Sequence, residues 1–356
     1  MFSLQQLVRK NIAALEPYTS ARSEFKGTEG IFLDANENPY GPYNRYPDPL
    51  QQLLKQELAR QNQVPAANIF IGNGSDEIID LSLRIFCDPG IDKALTFSPT
   101  YGMYAVAAAI NDVKLVSLPL DNDFRIVYPT LSPLLADERL KMLFICSPNN
   151  PTGNGLEGIE KILQQFKGIV VVDEAYIDFS DSPSLISGIN DYPNLIVVQT
   201  LSKAWGLAAA RIGIAYAQQE IIALLNKIKP PYNVSALNQK AALEALSDRE
   251  AFEANKSMIR QQRAWLEMQL KQSGIVKKVY PSEANFLLVE MTDAPAVYDE
   301  LIKRKVITRN RHSQVNHCIR ITVGRPEENR ELIDALAQIT LSMQTQTKPN
   351  EKSTLY

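Results

Sequence analysis

The chain has 356 residues, 45% of them hydrophobic and 22% charged, which is enough for one large domain with a full core and a smaller companion. Thirty-seven basic residues against forty acidic ones leave a net charge of −3 and no basic block, so neither nucleic acid nor an anionic membrane is recommended as a partner. Three cysteines without paired spacing and only two histidines, His312 and His317, leave little material for a disulfide framework, a zinc site or a Ser-His-Asp triad.

Leu4, Leu7, Val8, Ile12 and Leu15 recur at helical spacing and stop at Pro17, predicting a short amphipathic arm helix with Arg9 and Lys10 inside it. No apolar run reaches the length of a membrane span and the arm does not read as a signal peptide, so a cytoplasmic protein is expected. A connector from Tyr18 to Arg22 follows. Residues 34–42 are too rich in turn formers for helix or strand, and Tyr43-Asn44-Arg45-Tyr46-Pro47-Asp48 prolongs them into a long ordered loop before a helix over 50–60. Exposed tyrosines in such a loop need a partner surface.

Ile69-Phe70-Ile71 predicts a strand, and Gly72-Asn73-Gly74-Ser75-Asp76-Glu77 opens a helix. Two readings stand side by side there: an anion site on the backbone N–H groups of Gly74 to Asp76, and a plain N-cap by Ser75 with Asp76 and Glu77 complementing the helix dipole. Strand-like runs then alternate with helical ones: 94–97, 115–118, 142–146, 169–172, 195–198 and 212–216 as strands, 156–166 as a helix. Near-continuous apolar strands separated by helices indicate a mostly parallel sheet covered on both faces, with functional groups at strand ends. Beyond Pro230-Pro231 come a long helical region, about 236–272, and alternating segments at 285–289 and 318–323, which read as a second, smaller α/β unit.

The chemistry-bearing residues fall at the strand ends. Lys203 follows the apolar run 195–198 between hydroxyls, in Thr200-Leu201-Ser202-Lys203, with Arg211 eight positions on. Partial burial disfavours an ammonium and makes such a lysine a candidate for forming an imine with a carbonyl, while Thr200, Ser202 and Arg211 can gather around a phosphate. An aldehyde cofactor carrying a phosphate fits both. Asp173 ends an all-apolar strand, where a carboxylate calls for a cation such as a protonated pyridine nitrogen. Asn150 and Tyr176 can donate to a ring oxygen and Tyr101 can cover a ring face. Each also has a duller role open to it: a cap for Asp173, a turn for Asn150, core for Tyr101.

Taken together, Leu33-Asp34-Ala35-Asn36-Glu37-Asn38-Pro39, Asn44-Arg45-Tyr46-Pro47-Asp48, Gly72 to Glu77, Pro148-Asn149-Asn150-Pro151-Thr152-Gly153, Asp173-Glu174-Ala175-Tyr176, Thr200 to Lys203 and Ile319-Arg320-Ile321-Thr322-Val323-Gly324 resemble the fold-type I enzymes that use pyridoxal 5′-phosphate. Within them the chain is most similar to the histidinol-phosphate aminotransferases. The resemblance implies an arm over 1–30 that packs with the small domain and the partner subunit, a large cofactor-binding domain over 31–235 and a small domain over 236–343 with its linking helix; the polar, turn-rich stretch 344–356 reads as a disordered tail. It implies a homodimer with shared active sites. Lys203, Asp173 and Tyr176 take the catalytic places, and Tyr46 (reaching the partner's cofactor phosphate), Gly74, Ser75, Asp76, Tyr101, Asn150, Thr200, Ser202 and Arg211 complete the cofactor site. Tyr18, Asn36, Arg309 and Arg320 take the substrate places. The stretch between Arg309 and Arg320 is shorter than is usual among these enzymes, a departure that bears on Arg309. The activity implied is transfer of the amino group of L-histidinol phosphate to 2-oxoglutarate, giving L-glutamate. Threonine-phosphate decarboxylases and aromatic aminotransferases share much of the pattern and stand as alternatives. A non-catalytic ligand sensor of the same fold is opposed by the intact Lys203 and the lack of a basic patch.

Overall fold

The computed structural model describes residues 2–18 and 30–346. Most of the connector after Tyr18 and the tail beyond residue 346 lie outside the described residues. The arm forms two short helices, α1 (Leu4–Leu7) and α2 (Lys10–Ala14), rather than one. After the 30–51 loop come α3 (Gln52–Asn62), β1 (Ile69–Asn73), α4 (Ser75–Phe86), β2 (Lys93–Ser98), α5 (Met103–Ile110) and β3 (Lys114–Pro119). The chain continues through α6 (Tyr128–Leu131), β4 (Leu140–Cys146), α7 (Ile159–Gln165), β5 (Ile169–Asp173), β6 (Leu195–Thr200), β7 (Ile212–Ala217) and α8 (Gln219–Ile228). The expected 236–272 helix is broken at Asp248 into α9 (Ala236–Ser247) and α10 (Arg249–Lys271), because the Asp248 side chain accepts from the Ala251 N–H and caps a new helix. Then follow β8 (Val276–Val279), β9 (Phe286–Met291), α11 (Ala294–Lys303), β10 (Arg309–Asn310), β11 (Cys318–Thr322) and α12 (Pro326–Gln346).

Seven strands form the large sheet in the order β1-β7-β6-β5-β4-β2-β3. All pairings are parallel except those of β7, which runs antiparallel to both β1 and β6. The period of two along each strand divides its side chains between two apolar layers: Val170, Val172, Leu195 and Val197 enter one, and Ile169, Val171, Ile196 and Val198 the other. At about 1.5–3 kcal/mol per fully buried aliphatic side chain, this two-sided burial is what holds the sheet's centre. The four antiparallel strands β10-β11-β9-β8 form the second sheet, whose Ile319 and Ile321 pack into a separate core with Leu266, Leu270 and Leu336. A smaller cluster of Tyr176, Phe179, Ala204, Phe252, Ala284 and Phe286 joins the two sheets. Among the described residues no helix is long and apolar enough to cross a membrane.

This topology collects one rim. The parallel strands β1, β2, β4, β5 and β6 all end there, and reversed β7 begins there. Thr200 lies opposite Gly213, Asn73 opposite Ile212, and Cys146 opposite Asp173.

Candidate active site

Asp173 is the last residue of β5, on the Val171 face of the strand, and only 2% exposed. Its Oδ2 accepts a 2.8 Å hydrogen bond from the Tyr104 hydroxyl and its Oδ1 a 3.1 Å bond from the Ala175 N–H. Burial nevertheless pushes its pKa up to about 6, because the two donors and distant Lys203 do not offset the loss of water. No ion pair reaches it among the described residues. A buried carboxylate held by two neutral donors is matched to a cation placed above it.

Lys203 lies in the loop after β6 and is half-buried, its Nζ 5.7 Å from the Tyr176 ring centroid. Burial, then the positive charges of Arg320 and Arg211, lower its pKa, against Asp173 and Asp76, which raise it. This is the environment that keeps an amine available as a nucleophile and proton carrier.

The turn into α4 differs in detail from the capping expected at Ser75. The helix begins at Ser75 itself, and Gly74 is the N-cap residue, at φ +78° and without a side-chain capping bond. The N–H groups at this twelve-residue helix start are thus not covered by a hydroxyl, which favours the anion-site reading. Two glycines permit the close packing. A Cβ on Gly213 would stand 2.3 Å from the Gly74 carbonyl carbon, and one on Gly74 would stand 2.5 Å from Nη2 of Arg211. Arg211, at φ +52°, leans across the turn with Nη2 3.4 Å from Oδ2 of Asp76, and Oδ1 of Asp76 accepts from the Tyr101 hydroxyl at 3.0 Å. Thr200 spends its hydroxyl proton on the Ile212 carbonyl at 3.0 Å and accepts from the Ser202 N–H at 3.1 Å, so it shapes the loop that presents Ser202.

Across the rim, the second sheet turns its polar face to the same place. Nη1 of Arg320 donates to Oδ1 of Asn150, and the guanidinium carbon sits 5.1 Å from the Phe286 ring centroid. The amide of Asn150 also makes a long 3.5 Å contact with the Tyr176 hydroxyl. Arg309 is the strand partner of Arg320 in the β10–β11 ladder and is exposed. Arg311, two residues on, is half-buried, and burial, followed by the charges of Arg320 and Arg309, lowers its pKa to about 10, so it stays charged at neutral pH. The Nε atoms of both Arg311 and Arg320 are buried without a hydrogen-bond partner among the described residues. Three guanidinium groups with two unsatisfied donors are suited to an anion such as a phosphate monoester or a dicarboxylate.

The structure therefore brings together Gly74, Ser75, Asp76, Tyr101, Asn150, Asp173, Tyr176, Thr200, Ser202, Lys203, Arg211 and Arg320 on one rim. It leaves Tyr18, Asn36 and Tyr46 elsewhere in the same chain. Tyr18 is 76% exposed beside Leu15, Pro49, Lys227 and Pro231, while Asn36 and Tyr46 border a cleft with Tyr232 and Ser235, where Tyr46 stacks on Tyr232 at 4.4 Å. Sequence reading missed Tyr104 and Arg311. The available signals were Tyr104's place three residues after Tyr101, and Arg311's place two residues after Arg309, where an extended segment returns its side chains to one face.

The rim offers a phosphate turn, an amine of lowered basicity and a buried carboxylate, which together fit a phosphorylated aromatic aldehyde with a protonatable ring nitrogen. Comparison with known proteins agrees with this chemistry. The sequence model of the family described as Aminotransferase class I and II matches residues 28–336. A histidinol-phosphate aminotransferase of Cytophaga hutchinsonii is 50% identical over 344 residues, covering 94% of this chain and 99% of that protein. Another from Parabacteroides distasonis is 50% identical over 346 residues, covering 96% of this chain and 100% of that protein. Among solved structures, histidinol-phosphate aminotransferase from Sinorhizobium meliloti in complex with pyridoxal-5′-phosphate matches with a TM-score of 0.77 at 27% identity, over 87% of this chain and 90% of that one.

Proposed function

Because this chain belongs to the aminotransferase class I and II family, we propose that it is the pyridoxal-phosphate-dependent transaminase that moves the amino group of L-histidinol phosphate to 2-oxoglutarate, giving imidazole-acetol phosphate and L-glutamate in histidine biosynthesis. The observation that carries the chemistry is the pairing of Lys203, its basicity lowered by burial and Arg320, with the buried carboxylate of Asp173 on the next strand.

The cofactor, when bound, supplies an electron sink for the carbanion at the substrate's amine-bearing carbon. The chain supplies everything else. Ser75 and Asp76 present N–H groups, and Ser202 and Arg211 side chains, to a phosphate, while Gly74 shapes the turn with its own N–H donated to the Arg211 carbonyl at 2.7 Å. Asp173 holds a proton at the ring nitrogen, Asn150 and Tyr176 address the ring oxygen, and Tyr101 covers a face. Lys203 Nζ carries the proton that leaves one carbon and returns at another. Arg320, with Arg309, receives the phosphate of one substrate and a carboxylate of the other, since a guanidinium fork pairs with either oxyanion.

The large domain is assigned to residues 31–235 and the small domain to 236–343; the arm was expected to pack with the small domain and the partner subunit, but its described helices lie on the large domain, where Phe2, Leu4, Leu7, Val8 and Ile12 pack against the layer of Ile169 and Val171. Two chains form a homodimer in the cytoplasm. Ile31 and Leu33, 92% and 88% exposed, and the exposed Tyr40 and Tyr43 are the apolar side chains a second subunit would cover. Tyr46 then reaches the partner's cofactor phosphate.

A coupled assay with histidinol phosphate, phosphothreonine and phenylalanine side by side tests the reading. The rate constant ratio kcat/KM for histidinol phosphate should exceed those for the other two by at least about 100-fold. Release of carbon dioxide from phosphothreonine at a comparable rate would make a decarboxylase the better description.

A further inference from the structure

We propose that Tyr104 is a positioning residue for this reaction: by donating to Oδ2 of Asp173 it fixes the carboxylate and limits its basicity, so that the proton between carboxylate and pyridine stays on the ring. The inference rests on the cofactor reading above.

Tyr104 lies on α5 with its ring fully buried, stacked on Phe144 at 5.0 Å and met edge-on by Tyr101 at 5.6 Å. Packing alone does not ask for a hydroxyl there, since a phenylalanine would fill the same volume without a polar atom to satisfy. The hydroxyl donates the 2.8 Å bond to Asp173 and also faces the buried Cys146 thiol, a neutral group. Burial first, and then the Asp173 charge, hold the phenol's pKa well above its ordinary value, so at any working pH it is a neutral donor and never a competing anion.

The surroundings of Asp173 give this one bond unusual leverage. From the other elements packed around it, Asp76 on α4 raises its pKa and Lys203 after β6 lowers it, while the Cys146 thiol on β4 is kept protonated by burial. The opposing charges act at a distance. Tyr104 is the only side chain in direct hydrogen-bond contact with the carboxylate among the described residues. A hydrogen bond to an ionised group is worth enough to move a pKa by about one to two units. Without it the carboxylate becomes the stronger base and draws the shared proton off the ring nitrogen. The electron sink then weakens although every group that touches the substrate is in place.

Tyr104→Phe retains the ring and its stacking, so it isolates the hydroxyl. In the apoprotein, infrared titration of the Asp173 carboxyl should show its pKa rising by about one to two units above the wild-type value. In the loaded enzyme, the pH at which the bound cofactor's visible absorbance titrates should also rise. Turnover should fall about tenfold with KM for the amino donor within about twofold, because binding of the substrate anion is untouched. Difluorotyrosine at position 104, a stronger donor, should move both titrations the other way, and it serves as the decisive variant should the phenylalanine variant fold poorly. Unchanged titrations in correctly folded variants would overturn the proposal and leave the hydroxyl a packing detail. If the wild-type protein shows no cofactor absorbance at all, it is the cofactor reading that fails, and the apoprotein titration still decides whether Tyr104 sets the basicity of Asp173.

Discussion

Between about pH 4 and pH 6 the folded apoprotein holds a proton on Asp173 that the unfolded chain has already released, since burial lifts this carboxyl from 3.8 to about 6. The folded state binds more protons over that window, so its stability falls as pH rises through it. Above the window the buried carboxylate costs about 3 kcal/mol at most. Asp173→Asn removes the charge and keeps an acceptor for Tyr104. We predict that the apo variant is more stable than wild type by about 1–3 kcal/mol at pH 7.5, with a flatter stability profile between pH 4 and 6, while turnover drops at least about 100-fold. Urea unfolding across pH, paired with steady-state rates, checks both halves; a variant that is less stable and fully active would contradict the role. At this scale Asp173 and Lys203 were legible because a charged group closing an apolar strand is conspicuous in sequence. Tyr104 was not, since an aromatic among alanines on a helix reads as core, and its partner is set by how α5 packs on α4 and β3 with Tyr104 stacked on Phe144. Arg311 was hidden for a similar reason: the short β10 ladder, and the Arg311 N–H bond to the Cys318 carbonyl that extends it, exist only through pairing with β11.

The elements themselves were read within a few residues wherever apolar runs were continuous, as at β4, β5 and β6. What the sequence did not carry was direction. Nothing local to residues 212–217 says that β7 runs against both neighbours, and that reversal is what sets Gly213 against the Gly74–Ser75 turn. The clash a side chain would cause there is with backbone atoms, 2.3 Å from both the Gly74 carbonyl carbon and the Ser75 nitrogen, so relief requires moving the turn and the helix start. Gly213→Ala should cost about 1–3 kcal/mol of stability and loosen the cofactor phosphate more than the substrate. Thermal unfolding and the cofactor dissociation rate measure this, and wild-type values for both would mean that the turn is softer than its geometry indicates. Ser75 shows the converse limit: a serine before acidic residues looks like a cap, yet the glycine ahead of it takes that position because the turn needs a positive φ.

For the whole molecule, the loop carrying Tyr46 is built before any partner arrives. Lys229 donates to the carbonyls of Pro49 and Pro231 at 2.7 and 2.9 Å, and Asn233 reaches from there to the Ile71 carbonyl and to Glu77, next to the phosphate turn. Such anchoring suits a side chain that serves a neighbour's site. Mixing a Lys203→Ala subunit with a Tyr46→Phe subunit should yield heterodimers in which one site has both native residues and works at about half the wild-type dimer's rate. Activity no higher than the average of the two parent dimers, with heterodimers demonstrated, would place Tyr46 in its own subunit's site. In sequence the exposed tyrosines of this loop raised the expectation of a partner surface, whereas the lysine that braces the loop raised none, because its acceptors lie on two separate segments.

The reversal of β7 has one more consequence. Other connections leave the rim, cross a face of the sheet and return, but the stretch from Thr200 to Ile212 never departs: it is closed by bonds from the Leu201 N–H to the Ile212 carbonyl and from the Leu207 N–H to the Leu201 carbonyl. Lys203 and Arg211 thus ride on one short, internally fastened hairpin. They shift as a unit, and an inserted residue would displace amine and guanidinium together, whereas a longer crossover elsewhere in the domain would disturb neither.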